Sequence, residues 1–495
     1  GFAAEAVSGL ASMVREPNGC FEQTTSSAWP NTLIADYLQQ TGEVDEQQMQ
    51  QIVDTVTRGY QRLLTFESPT GGFNWWGDSD PGNRILSAIM LWHLKDLEKL
   101  IDVDQAVRDR TLTWLVSQQQ ADGSWAAGDA LHAGDEVLGT SVVRTTAFIA
   151  WALAHAELAP DAVAKAAQYI EGNEPPMSDL YANALSANAL AFADPGHQVT
   201  ADLFSRLEDM KETDADGHIS WPSDTPSWTG AGGGAVQIET TGLVAYGMIK
   251  AGTYPDSAAG AIEYLIANKD SVGSWYSTQA TMNALRALGA AAGGQATDAE
   301  GQLEVRVNGN LVQTIDISPD TNDLHRELDL SASLVSGNND VELTYDGSKD
   351  VAYQLTRRAY RPVVPPAVGP LDLNVKYDAT DVNVGDTVMT DVTVTNNDTE
   401  TRNQVIARIG MAPGLVPNLD DLAALVRDGR IARFELRDKE LVLYCMKLTA
   451  GEARKLSLRM IATLAADATA PASSVYAYYE PLLKLVRPAV KFNVH

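Results

Sequence analysis

Pro17-Asn18-Gly19-Cys20-Phe21-Glu22-Gln23 places a thiol three residues before a primary carboxamide, beside a Pro-Asn-Gly turn able to bring the two side chains together. A Cys sulfur and a Gln side-chain carbonyl at that spacing can join, with loss of ammonia, into an internal thioester. Such a bond stores reactivity, because a thioester carbonyl is poorly stabilised by resonance. Its leaving thiol has a pKa of ~8.5, lower still at a helix N-terminus. The run from Glu22 through Leu38 reads as helix, with Trp29-Pro30 marking a kink or restart, since Pro suits a first turn. Cys20 and Gln23 then sit at a positive helix end, which favours a departing thiolate. The competing reading is a buried structural Cys beside a loop Gln, the default for any lone Cys. The rest of the chain weighs against it.

The chain has 495 residues, room for two to four domains. Hydrophobic and charged contents of 45% and 20% are ordinary for a globular protein. A formal charge of -29 argues against nucleic acid or an anionic membrane as partner. No run of eighteen apolar residues exists; the best, Ala147 to Ala154, ends at His155. Gly1 opens directly into an expected helix, Ala4 to Val14, with no signal peptide, so a fragment or processed chain is expected. Of the two cysteines, Cys445 lies in Leu441-Val442-Leu443-Tyr444-Cys445 and reads as a core strand residue. So few cysteines, with an Ala- and Asp-rich composition, suggest a bacterial source.

Up to about residue 290 the pattern is helical and it repeats. Glycine-aromatic turns recur at Gly71-Gly72-Phe73-Asn74-Trp75-Trp76, Asp122-Gly123-Ser124-Trp125, Asp216-Gly217-His218-Ile219-Ser220-Trp221 and Val272-Gly273-Ser274-Trp275. Gly72 to Gly123 is 51 residues, Gly217 to Gly273 is 56, and the 94 residues between Gly123 and Gly217 make nearly two such units. Ala/Leu-rich helices follow most of these turns, at 84–100, 145–158, 240–250 and 277–291. A period near fifty with paired helices is the mark of stacked helical hairpins, and about six pairs predict a closed α/α toroid. The tryptophans read as packing anchors.

Gly19-Cys20-Phe21-Glu22-Gln23 resembles the thioester signature of the alpha-2-macroglobulin and complement thioester-protein family. Ser274-Trp275-Tyr276-Ser277-Thr278-Gln279-Ala280-Thr281 is similar to the segment that closes the family's thioester domain, so the resemblance spans the helical region, 1–292. The resemblance implies a protein that tags its targets covalently, once, without turnover, and is not an enzyme.

Near residue 295 the composition changes. Leu303-Glu304-Val305-Arg306-Val307 reads as a strand, Asn308-Gly309 as a hairpin turn, Leu311–Ile315 as its return, and Val341–Tyr345 as another strand. These residues, 293–362, resemble the second half of the family's CUB-like β domain; its first half would precede residue 1. Val363 to Pro370 is a semi-rigid linker. From 371 to 495, strands at 371–377, 387–396, 404–409, 440–446, 454–462 and 472–479 surround one helix, Asn418–Asp428, with Gly429 as its C-cap. This predicts a β-sandwich similar to the family's C-terminal receptor-binding (macroglobulin-like) domain. Asn397-Asp398-Thr399 reads as a surface turn.

A thioester needs a partner group that decides what it reacts with. Of seven histidines, His93 and His155 lie in apolar helices and read as core or rim; His197 and His218 are in loops, and His325 is outside the toroid. His132, in Asp129-Ala130-Leu131-His132-Ala133-Gly134-Asp135-Glu136, follows the second glycine-aromatic turn. In the complement-like branch of the family a histidine occupies this loop, which implies that His132 is the reactive one. Neutral imidazole would then attack the Gln23 carbonyl, releasing the Cys20 thiolate to act as base on an incoming hydroxyl. Without it, amines would be the targets. Asp135 or Glu136 can orient such an imidazole, or be solvated loop acids. The resemblance also implies aromatic shielding of the bond. Phe21 and Trp29 are candidates near the motif, and Tyr476, Tyr478 and Tyr479 in the C-terminal domain; alternation puts Tyr476 and Tyr478 on one face and Tyr479 on the other.

The sequence therefore predicts the thioester-containing part of a bacterial alpha-2-macroglobulin-like protease inhibitor, working in the periplasm or outside the cell. Its partners would be proteases or cell-surface amines and hydroxyls, with upstream macroglobulin domains completing the trap. No metal is expected, and no cofactor beyond the internal cross-link. A rival is an α/α-toroid glycosidase, lyase or cyclase, which would need paired carboxylates. Asp78/Asp80, Asp135/Glu136 and Asp214/Asp216 read better as turn chemistry. A third reading is a structural relative that has lost its thioester.

Overall fold

The computed structural model describes residues 16–41, 46–77, 81–127, 141–223, 225, 227, 233–269, 275, 278–292, 300–318, 328–348, 353, 355, 369–478 and 480–495. The expected helix at 4–14 lies outside them. Eleven helices lead among the described residues. Helices α2 (Glu46–Leu64), α4 (Gln105–Ser117), α6 (Pro160–Gly172), α8 (Gln198–Asp209) and α10 (Pro255–Ala267) each bury one stripe and expose the other. Helices α1 (Phe21–Thr41), α3 (Arg84–Leu97), α5 (Val142–His155), α7 (Leu180–Ala193), α9 (Gly233–Ala251) and α11 (Thr278–Ala292) are buried over most of their surface. Helices apolar all round belong inside. Each of this second set packs on the next, and α11 packs back on α1, so an inner ring closes within an outer one. This is the predicted α/α toroid.

The glycine-aromatic turns set the repeat by hydrogen bonding. The Trp125, Trp221 and Trp275 indole N–H groups donate to the Leu115, Leu207 and Leu265 carbonyls at 2.9, 2.6 and 2.6 Å. Those carbonyls lie in the last turns of outer helices, past the reach of the regular helical ladder; the capping N–H groups of Gln118 and Met210 also donate to Leu115 and Leu207, at 3.2 Å each. The same tryptophans' backbone N–H groups donate to Thr146, Thr241 and Thr281 of the following inner helices, at 3.0, 3.1 and 3.1 Å; Thr146 and Thr281 lie near the starts of theirs, Thr241 in the third turn of α9. Phe73 repeats the second bond with Ser87 Oγ at 2.8 Å. Each of these tryptophan turns thus ties the end of one outer helix to the inner helix that follows.

Along the ring axis, Arg286 of α11 places its guanidinium carbon 3.7 Å from the Trp92 ring centroid and 4.3 Å from that of Trp29. Burial lowers the Arg286 pKa to about 10. Burial, then the Arg286 charge, lowers His93 and His155 to about 3, which keeps them neutral. Of the kink or restart expected at Pro30, the restart does not occur: α1 runs unbroken through it. Pro30 lacks the N–H of a regular turn, but Ala28, Trp29, Asn31 and Thr32 around it are all buried, so tertiary packing holds the helix together.

Within the ring, two short strands, β1 (Glu212–Thr213) and β2 (Ile219–Ser220), pair antiparallel. After the ring, β3 (Gly301–Val307) pairs antiparallel with β4 (Asn310–Ile317) and β5 (Val341–Gly347). Asn308 and Gly309 have φ of +52° and +78°, the turn their sequence predicts. The ring and this sheet form one compact unit; a second holds the strands from Leu371 onward.

In that second unit β6 (Leu371–Tyr377), β8 (Thr387–Asn396), β10 (Leu415–Pro417) and β13 (Ala453–Ala462) make one sheet, in the order β10-β13-β8-β6. A second sheet has the order β11-β12-β9-β15-β16, from β9 (Arg402–Gly410), β11 (Arg433–Arg437), β12 (Glu440–Leu448), β15 (Ser473–Ala477) and β16 (Glu480–Arg487). Val392, Leu458, Ala407, Leu443 and Val475 fill the core between them. Short strands β7 (Asp381–Val382), β14 (Ala466–Ala470) and β17 (Val490–Val494) form a third sheet, in the order β14-β17-β7. Helix α12 (Leu419–Arg427), the single one of this unit among the described residues, is capped by Asn418 and ends at Gly429, φ +64°. Cys445 is buried in β12, as predicted.

Candidate functional site

Gly19 is the pivot of the site. Its φ of +85° lies in the left-handed region that glycine enters without strain. The turn makes Cys20 the residue before the first helical residue of α1, and Gln23 the third inside it. Cys20-x-x-Gln23 thus has the spacing of a capping box, with Cys where Ser or Thr is usual. The Gln23 side chain folds back and its Oε1 accepts the Cys20 backbone N–H at 3.2 Å. The Thr24 N–H donates to the Cys20 carbonyl at 2.8 Å, which starts the helical ladder.

Gln23 is therefore held by its carboxamide oxygen, against the residue that carries the thiol. Its nitrogen, Nε2, is buried and has no hydrogen-bond partner among the described residues. Leaving a buried amide donor unpaired costs about 1–3 kcal/mol. That nitrogen is the atom which condensation with the Cys20 thiol expels as ammonia.

The surroundings are dry. Cys20 and Phe21 are fully buried, and Glu22 and Gln23 nearly so. The Phe21 N–H donates to the Trp75 carbonyl at 2.9 Å. Its ring packs 5.7 Å from Phe73 and 6.1 Å from Phe66. From α2, Arg62 donates to the Gly19 carbonyl at 2.6 Å.

Burial pushes the Cys20 thiol far above its ordinary range, and the Glu22 carboxylate pushes it further; backbone N–H groups of the helix start oppose both and lose. This corrects the expectation of a thiol made acidic by the helix end. A low-dielectric pocket penalises the thiolate more than a helix terminus favours it.

The other predicted residues fall as follows. Trp29 lies nine residues along α1 from Cys20, about 13 Å at 1.5 Å per residue. It turns into the ring axis, donating Nε1 to Asp96 at 2.8 Å and packing on Trp92. His132, Asp135 and Glu136 lie outside the described residues, as does Tyr479. Tyr476 is half-buried, on the β15 face opposite the buried Val475 and Ala477, and Tyr478 is half-buried just past the strand. Asp214 accepts the backbone N–H groups of Asp216 and His218, each at 2.9 Å, so that acidic pair is a turn, as predicted. Sequence reasoning missed Arg62 as a partner of Gly19, and Phe66, Phe73 and Trp75 as partners of Phe21. The capping-box spacing was the available signal for the Cys20–Gln23 geometry; none marked Arg62.

Two family models match the chain: the A-macroglobulin TED domain over residues 1–290, and the A-macroglobulin receptor binding domain over 400–488. Ovostatin of Gallus gallus is 23% identical over 497 residues, which is 96% of this chain and 33% of ovostatin. Thioester-containing protein 1 (allele R1) of Anopheles gambiae is 27% identical over 280 residues, 55% of this chain and 20% of that protein. The chain thus spans a third or less of these relatives. Among solved structures, Salmonella alpha-2-macroglobulin reacted with methylamine superposes with a TM-score of 0.70 at 16% identity, over 99% of this chain and 31% of that one. Native alpha-2-macroglobulin from Escherichia coli, from domain MG7 to the C-terminus, gives 0.65 at 16% identity over 99% and 75%. At that identity the structural likeness speaks for the fold.

Proposed function

We propose that this chain, which belongs to the alpha-2-macroglobulin family, carries an internal thioester between Cys20 Sγ and the Gln23 side-chain carbonyl and uses it once, as a covalent trap. The observation that carries the reading is the hold on Gln23: its oxygen bonded to the Cys20 N–H at 3.2 Å, its nitrogen buried without a partner. In closure the Sγ–H adds to the carboxamide carbon, the S–C bond forms, and the C–N bond breaks with ammonia taking the thiol proton. The ring so formed no longer contains the unpaired amide.

The dry pocket then serves storage. A departing thiolate is strongly disfavoured where Cys20 sits, so the bond opens only after the pocket is exposed to water or to a nucleophile. In this reading His132 takes the acyl group first and passes it to a hydroxyl, with Asp135 or Glu136 orienting its ring; otherwise an amine attacks directly. Tyr476, Tyr478 and Tyr479 are the C-terminal candidates for the cover. The target is an attacking protease or a nearby surface nucleophile. Upstream macroglobulin domains supply the trigger, and the periplasm or the exterior of a bacterial cell is the place of work. Consumption of the bond makes this a single-use reagent and not a catalyst.

The test is an intact mass. The native protein weighs one ammonia less than its sequence, gains methylamine on incubation and then exposes one new thiol; Cys20→Ala does none of these. A native protein of full sequence mass that takes up no methylamine ends the proposal.

A further inference from the structure

We infer that Arg62, on the outer helix α2, is the positioning residue for ring closure: it grips the Gly19–Cys20 peptide whose N–H holds Gln23. The inference rests on the thioester reading above. One planar peptide unit carries both contacts. Its oxygen, Gly19 O, accepts from Arg62 Nη2 at 2.6 Å, and its N–H, on Cys20, donates to Gln23 Oε1 at 3.2 Å. A cationic donor on the carbonyl polarises the peptide and strengthens its N–H as a donor. The chain Arg62 to Gly19–Cys20 to Gln23 therefore fixes the carboxamide and draws electron density from the carbon that sulfur must attack.

The same guanidinium reaches the far side of the turn. Arg62 Nε donates to Thr24 Oγ1 at 3.1 Å, while the Thr24 N–H closes on the Cys20 carbonyl at 2.8 Å. Its fork thus spans the residue before Cys20 and the residue after Gln23, a geometry that an ammonium cannot reproduce. The Phe66 ring, 5.7 Å from the guanidinium carbon, backs it, and Phe66 in turn packs on Phe21. One face of α2 is built for this seat. Gly59 brings it close, since a Cβ there would lie 2.9 Å from Ala28 Cβ and 3.1 Å from Pro17 Cγ. One turn before Arg62, Arg58 pairs with Glu16 where the loop begins. In this role Arg62 acts through the Gly19–Cys20 peptide.

The experiment follows closure in refolded wild type, Arg62→Ala, Arg62→Lys, Arg58→Ala and Cys20→Ala, by intact mass and by thermal unfolding of each. Misplacing reacting groups by about 1 Å costs on the order of 100-fold in rate. Arg62→Ala is expected to fold with the ring of helices intact yet lose ammonia at least ~10-fold more slowly, with Arg62→Lys in between and Arg58→Ala close to wild type. Closure of Arg62→Ala at the wild-type rate overturns the inference. So does slowing that only tracks the loss of folded protein, with the same drop in melting temperature when Arg62→Ala is placed in the Cys20→Ala chain. A wild-type protein that keeps its ammonia and both thiols defeats the thioester reading itself, a result distinct from either.

Discussion

A methyl group on Gly19 would fall 2.0 Å from Oε1 of Gln23. No side chain fits there while Gln23 is folded back, and φ of +85° adds strain for any residue but glycine. Gly19→Ala is therefore expected to displace the carboxamide and abolish ammonia loss, while lowering stability by only ~1–2 kcal/mol. Intact mass and urea unfolding measure the two effects separately; a Gly19→Ala protein that still reacts with methylamine contradicts the geometry.

The thiol itself should be inert in the folded chain. In Gln23→Ala, which cannot form the ring, Cys20 remains fully buried with its pKa pushed up, and Cys445 is buried with its pKa raised to about 11. Neither is expected to react with a disulfide reagent at pH 8, and both should react once urea unfolds the protein. Rapid labelling of Cys20 in the native variant would show that the pocket is open.

Glu239 supplies a pH dependence. It is fully buried on α9, accepts the Tyr181 hydroxyl at 2.7 Å, and burial raises its pKa from 4.5 to about 7. A raised carboxyl favours the protonated folded state, so its stabilisation is complete below pH 4.5 and lost as pH rises towards 7. The loss is on the order of 3 kcal/mol, from about 1.4 kcal/mol per pH unit. Urea midpoints from pH 5 to 8 should fall for the wild type relative to Glu239→Gln, whose amide does not titrate; parallel curves would refute the assignment.

Trp221→Phe tests the turn that links successive helix pairs. The substitution removes the indole N–H and leaves the Leu207 carbonyl at the end of α8 without that donor. Because the Met210 N–H still donates to that carbonyl, unfolding should show a loss of about 0.5–1.5 kcal/mol for the missing bond, beyond which the smaller ring adds a cavity. Trp125→Phe and Trp275→Phe should behave alike, because each makes the same bond.

Arg286→Lys probes the axis. The guanidinium carbon lies within 4.3 Å of both the Trp92 and Trp29 ring centroids, a double contact that the compact ammonium of a lysine cannot reproduce. A loss of ~1–2 kcal/mol is expected, with a changed near-ultraviolet circular dichroism from the two indoles. An unaltered spectrum would mean that this contact contributes nothing there.

The chain by itself determined its repeats and its local chemistry. Fifty-residue spacing of glycine-aromatic turns is enough for a ring of helix pairs, because each turn carries its own bonds to the helices on either side. Asn308-Gly309 and Gly429 specify a hairpin and a helix end through φ preferences that belong to single residues. Cys20 and Gln23 meet because three positions at a helix start is a local distance. Only the tertiary structure decided that burial and Glu22 outweigh the helix terminus at the thiol, that α1 survives Pro30, and that Trp29 points into the axis. Arg62 reaches Gly19 across 43 residues of sequence, and no local pattern encodes such a pairing. Packing between helices sets which charges and rings face one another, and desolvation there exceeds the short-range preferences that a sequence displays.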